Sequence, residues 1–159
     1  MTIYVIDTSS LITAKFFYPP ENVKPFWDLL HELNINKKLH IIKRVKNEIK
    51  DDYLKNVFLK QKIISNENIQ EVVDEMKDIV NKIPRSSVVG FESMLTKADP
   101  WIIAYAKYLQ NHFSEVYVIT GELQSGNKIR IPMICNKISI KNERIHFLMT
   151  NENLKLSKI

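Results

Sequence analysis

The feature that most restricts the fold is Ile3-Tyr4-Val5-Ile6, a continuous apolar run of β-branched and aromatic side chains that ends at Asp7. Successive strand side chains point to opposite faces, so a run without polar interruption needs cover on both, as in the central strand of a parallel sheet. An acid closing the most apolar strand is expensive to place unless its charge is compensated. Asp7 is therefore the first candidate for chemistry.

Helical and extended patterns alternate along the rest of the chain. Phe26, Leu29, Leu30 and Leu33 recur at helical spacing after Pro25. Leu39 to Ile42 reads as a second strand, and Val45, Ile49 and Tyr53, at fourfold intervals, read as one face of the helix after it. Ile69, Val72, Val73, Met76 and Val80 mark a middle helix expected to stop near Pro84. Asp99-Pro100 predicts a helix start, with an N-cap carboxylate and proline in the first turn, and Ile102, Ile103, Ala106 and Leu109 supply its buried side. Val116 to Thr120 reads as a strand and Ile131-Pro132 leads into a short helix towards Ile138. The tail, with Ile145, Phe147 and Leu148, is either a strand or a helix. Such alternation implies a mostly parallel sheet with helices on both faces. Ligands then sit beyond the carboxyl ends of the strands.

A chain of 159 residues, 45% hydrophobic, can bury one core without disulfide or metal staples, and one domain over residues 1–159 is expected. Cys135 is the only cysteine, so an internal disulfide is excluded. The N-terminus lacks a basic region and carries Asp7 early, which suits a buried strand better than a signal peptide or membrane span. A cytoplasmic address without membrane contact is expected. The formal net charge of +5 favours polyanions only weakly, but nine Lys/Arg against three acids lie between Lys37 and Lys62. Arg44, Lys46 and Lys50 in that stretch are candidates for contact with a phosphate backbone, or a solvated helix face.

Glu48 lies inside the same basic stretch, on the helix after the second strand. Asp99 heads the helix before the last clear strand, and Glu122 lies two residues past Thr120. Carboxylates gathered in one crevice repel one another unless protons or cations compensate them. Oxygen-only donors suit Mg2+ or Mn2+, which polarise a phosphoryl group and lower the pKa of a bound water. Each acid also has a purely structural reading: Asp99 as a helix cap, Glu48 as a surface acid paired with Arg44, Glu122 as a loop acid. Thr8, Ser9 and Ser10 either cap the helix after Asp7 or hold a water or phosphate, and Thr120 is similarly placed beside Glu122. The four histidines form no HExxH, and with Cys135 they show no zinc spacing. The segment Gly121 to Lys128 departs from a phosphate-binding loop at Asn127 and Ile129.

In their order and spacing, YVIDTSSLI, RVKNEIK, KADPWIIAYAK and VYVITGE resemble the acidic scaffold of PIN-domain nucleases. FFYPPENVKPFWDLL and KIRIPMICNKISI are similar to a bacterial PIN-like subfamily related to VapC-type toxins. The resemblance runs from about Tyr4 to Ile140. It implies a compact three-layer α/β/α sandwich whose acids hold Mg2+ or Mn2+ for phosphodiester hydrolysis. Asp7, Glu48, Asp99 and Glu122 take the positions of the acids, with Ser9 and Thr120 in support. Glu122 departs from the aspartate usual in PIN domains. The resemblance further implies an endoribonuclease acting as the toxin of a toxin–antitoxin pair, with RNA and a cognate antitoxin protein as partners. A two-fold dimer would join its basic surfaces into a longer groove. A noncatalytic RNA-binding or protein-interaction domain on the same scaffold is the alternative. A phosphotransfer enzyme with Asp7 as nucleophile is a third, although Ser9 stands where it would need a second aspartate. RNA and DNA are not distinguished, because no reader of a 2′-hydroxyl is evident.

Overall fold

The computed structural model describes residues 1–82, 98–122 and 131–155. These form a three-layer α/β/α sandwich around a five-stranded sheet in which every pairing is parallel. The strands are β1 (Thr2–Ile6), β2 (Leu39–Ile42), β3 (Ile64–Ser65), β4 (Glu115–Ile119) and β5 (Lys141–Glu143), in the order β3-β2-β1-β4-β5. Ile3, Tyr4, Val5 and Ile6 are completely buried, as their uninterrupted run requires. The buried Tyr4 hydroxyl bonds Glu152 and Asn151 at 2.7 and 2.6 Å, which ties the C-terminal end to the central strand.

Strand order positions the site. The chain first builds outward from β1 to β2 and β3, then crosses to lay β4 along the opposite side of β1. The sheet thus has its topological switch point between β1 and β4, where open α/β sheets receive ligands. Register pairs Ile6 with Ile119, and the Asp7 N–H donates to the Ile119 carbonyl at 2.8 Å. Asp7 and Thr120 therefore emerge at the same carboxyl edge.

The helices are α1 (Thr8–Phe17), α2 (Lys24–Ile35), α3 (Lys43–Glu48), α4 (Gln70–Lys82), α5 (Asp99–Gln110), α6 (Ile131–Lys137) and α7 (His146–Asn151). In α2, Pro25 sits in the first turn; Phe26, Leu30 and Leu33 of the expected stripe are buried, Leu29 is half-buried, and Trp27 is buried besides. Helix α5 packs on α4, β1 and β4, burying Ile102, Ile103, Ala106 and Leu109. Of the two alternatives for the tail, Ile145, Phe147 and Leu148 take the helix, as the N-cap and first turn of α7, with the short strand β5 ahead of it. The expected stop of α4 at Pro84 lies outside the described residues. Among the described residues no helix is long and apolar enough to cross a membrane.

Three local expectations are corrected. The helix after β2 does not continue through Tyr53: α3 ends at Glu48, and Ile49 is extended at φ −74°, ψ 123°. Asp51 then accepts the Leu54 N–H at 3.0 Å and starts a new segment, a wide π-type turn over Leu54–Phe58. Val45 and Ile49 are still buried, so periodicity persisted while the backbone broke. Asp99 is not the N-cap of α5. That position is Ala98, whose carbonyl receives the Trp101 and Ile102 N–H groups, leaving Asp99 as the first helical residue. Strand β4 begins and ends one residue earlier than Val116 to Thr120, although the Thr120 N–H still donates to Glu143.

Candidate functional site

Asp7 is 2% exposed. Its backbone is the N-cap of α1, at φ −89° and ψ 154°, but its carboxylate makes no capping bond. Instead Oδ2 accepts the hydroxyls of Ser9, at 2.5 Å, and Thr120, at 3.1 Å. These hydroxyls bind the next loop in turn: Ser9 Oγ accepts the Gly121 N–H at 2.9 Å, and Thr120 Oγ1 accepts the Glu122 N–H at 3.1 Å. A side chain at Gly121 would put its Cβ 2.9 Å from Thr13 Oγ1 and 3.0 Å from the Ser9 carbonyl oxygen, so glycine permits the close approach of this loop to α1.

Burial pushes the Asp7 carboxyl up to about 6, and the nearby Glu122 charge acts in the same direction. Hydrogen bonds from Ser9 and Thr120 oppose that rise only partly. Glu122 also accepts the Ile131 N–H through Oε2 at 3.0 Å, which joins the loop to the start of α6. Cys135 lies behind the same crevice: burial drives its thiol up to about 12, with the Asp7 charge contributing.

Glu48 forms the second arm. The end of α3 directs its Oε2 to the Thr8 hydroxyl, at 2.9 Å, and its Oε1 to the Ala98 N–H, at 2.7 Å. It thus spans from the residue after Asp7 to the residue before Asp99. Of the four sequence-predicted acids, Asp7 and Glu122 are near enough for their charges to interact, and Glu48 bonds the chain neighbours of Asp7 and Asp99. In this arrangement protein donors occupy both Glu48 oxygens and one of Glu122. Among the described residues no group of three or more His, Cys, Asp or Glu side chains is placed to hold a metal ion.

The basic candidates divide. Arg44 is built into the scaffold: Nη1 donates to Glu67 Oε1 at 2.9 Å and Asn68 Oδ1 at 3.0 Å, and Cζ lies 3.7 Å from the Trp101 ring centroid. Lys46 and Lys50 are exposed. Sequence reasoning missed Glu67, the loop contact at Gly121 and the pairing of Thr8 with Glu48. The glycine directly after Thr120 was the one local signal available, since close backbone approach is a recurrent use of glycine.

The family model described as Domain of unknown function (DUF4411) matches residues 4–156. No curated protein matches significantly. The chain belongs to this DUF4411 family.

Proposed function

We propose that this member of the DUF4411 family is a Mg2+- or Mn2+-dependent endoribonuclease, the toxin of a toxin–antitoxin pair, with Asp7, Glu48, Asp99 and Glu122 as its site acids. The observation that carries the reading is Asp7: a carboxylate 2% exposed at the β1/β4 switch point, held by hydroxyls and raised further by a second acid. Buried like charges of this kind favour a divalent counter-ion, and the oxygen-only donor set fits a hard one. When bound, the ion would offset charge at the scissile phosphate and lower the pKa of an attacking water.

The protein's own contribution is orientation. Ser9 and Thr120 fix the direction of the Asp7 carboxylate, and the Gly121 contact brings Glu122 alongside. Glu48 sets the start of α5, and with it Asp99, against the start of α1. Lys46 and Lys50 add positive charge next to Glu48 for an incoming phosphate backbone.

Cleavage of end-labelled RNA with Mg2+ or Mn2+ tests the proposal. Asp7→Asn and Asp99→Asn each remove metal-dependent stabilisation of several kcal/mol, so cleavage should fall about a hundredfold or more. Activity that survives chelation, or that both variants retain, would sink the mechanism. Repeating the assay with the protein encoded beside this one tests the antitoxin, which is expected to inhibit. The second reading, a noncatalytic RNA- or protein-binding domain, is favoured by one observation: the Glu48 oxygens are already taken by Thr8 and Ala98. It predicts RNA binding without turnover.

A further inference from the structure

Helix α1 leaves the site with an apolar edge facing solvent. Ile12 is 53% exposed and Phe16 78%, whereas Ser10, Leu11 and Ala14 are buried on the opposite side; Phe17, the last residue of the helix, is 61% exposed. The Phe16 and Phe17 rings meet edge to face, with centroids 5.2 Å apart. At about 100° per residue, Thr8 and Lys15 share one line on the helix, Ile12 is displaced from it by about 40°, Phe16 by about 80° and Thr13 by about 140°. Both flanking lines are anchored. Thr8 bonds Glu48 and Lys15 pairs with Asp51 on one side, while Ser9 and Thr13 meet Gly121 on the other. Ile12 and Phe16 therefore lie between the arm bearing Glu48 and the arm bearing Glu122, in a stripe that begins one turn along α1 from Thr8 and Ser9, which bond Glu48 and Asp7.

We propose that this stripe is a stacking platform for unpaired bases of single-stranded RNA, leading the strand into the carboxylate site. The identity of the strand rests on the nuclease reading above. Charge beside α1 supports an anionic occupant: Lys50 directly precedes Asp51, which pairs with Lys15 next to Phe16, and Lys50 is exposed with no ion-pair partner among the described residues. Exposed aromatic rings with an unpaired lysine on the adjoining segment suit single strands, because every base offers a π-face and the phosphates between bases need neutralising. The patch is also small. Three side chains supply only a fraction of the roughly 800 Å² that each partner buries in a stable protein interface, but one or two bases need no more than a ring or two.

Fluorescence anisotropy with a short labelled single-stranded RNA, on the full chain in EDTA, separates binding from turnover. Phe16→Ala should weaken binding about tenfold and Phe16→Trp should retain it, while binding of a fully paired RNA hairpin changes in neither. Lys50→Ala should reduce the slope of log affinity against log salt by roughly one. Phe16 is exposed, so these variants test the surface without disturbing the core. Equal affinity of Phe16→Ala and the parent chain overturns the proposal, as does an equal loss on the paired hairpin or no measurable affinity of the parent chain. If Phe16→Ala instead halves the sedimentation mass and leaves RNA affinity unchanged, the stripe is a self-association face and the proposal fails. Stacking without metal-dependent cleavage would remove the nuclease reading but keep the platform; cleavage with unaltered binding in Phe16→Ala would do the reverse.

Discussion

Asp7 and Glu67, 2% and 0% exposed, both bury a carboxylate, and they meet opposite surroundings. Glu67 accepts the N–H groups of Lys43 and Arg44 at 3.0 and 3.1 Å, and the Arg44 guanidinium closes on the same carboxylate. Its charge is balanced from within, and the Arg44 ion pair and the Trp101 ring tie α3 to the segment after β3 and to α5. Asp7 has hydroxyl partners and an acid neighbour. A buried charge neutralised by the protein belongs to the scaffold, whereas one left beside a like charge awaits a counter-ion from outside. The contrast separates an internally balanced acid from an unbalanced one without reference to their positions in the chain.

The largest expected effect is on the balanced member. Glu67→Ala strands a partly buried guanidinium and two backbone donors at the start of α3. Removing one partner of such a pair costs about 3 kcal/mol, the low end of the usual range because the Arg44 side chain is a third exposed. Urea denaturation monitored by tryptophan fluorescence measures it. A loss below about 1 kcal/mol would mean that the Arg44 pair adds little to the fold, and the contrast would collapse.

Asp7→Asn should act in the other direction. The folded carboxyl titrates near 6, against 3.8 for an unperturbed aspartate. Between those values the native chain keeps a proton that the unfolded chain has lost, so this group's contribution to stability falls as pH rises and is lowest above pH 6. The deficit at pH 7 is about 3 kcal/mol, and loss of the charged hydrogen bonds offsets part of the gain on neutralisation. The variant should therefore match the parent near pH 4 and exceed it by about 2 kcal/mol at pH 7 in metal-free buffer. A pH-independent difference would place Asp7 with Glu67 as an internally balanced acid.

The sheet was legible because its central strand is buried on both faces, which leaves a continuous apolar run at Ile3–Ile6. Asp7 was legible for the same reason, as a polar stop to that run. Glu67 carried no such mark: it sits in a polar segment, and its partner Arg44 lies 23 residues away in a basic stretch that reads equally well as a phosphate-binding face. Glu48 was singled out, but its bonds to Thr8 and Ala98 were hidden, because Val45, Ile49 and Tyr53 keep helical spacing across a break that the backbone makes at Ile49. Periodicity reports which side chains return to the core, not whether the chain between them stays helical. The Ala98 cap was obscured by a neighbour of better capping chemistry, Asp99.

The smallest expected effect bears most directly on the counter-ion. An ion that binds only the native state stabilises it by RT ln(1 + [L]/Kd), about 1.4 kcal/mol at tenfold excess over Kd. Mn2+ should add that increment to the parent chain at pH 7 and so remove about half of its pH-dependent deficit, since a cation beside Asp7 lowers the cost of ionising it. Asp7→Asn should gain nothing from Mn2+. Glu67→Gln should start from lower stability yet gain the full increment, because its defect lies at the far end of α3 from Glu48. An equal response of all three chains would assign the Mn2+ effect to the general surface, and the unbalanced charge at Asp7 would then need a different explanation.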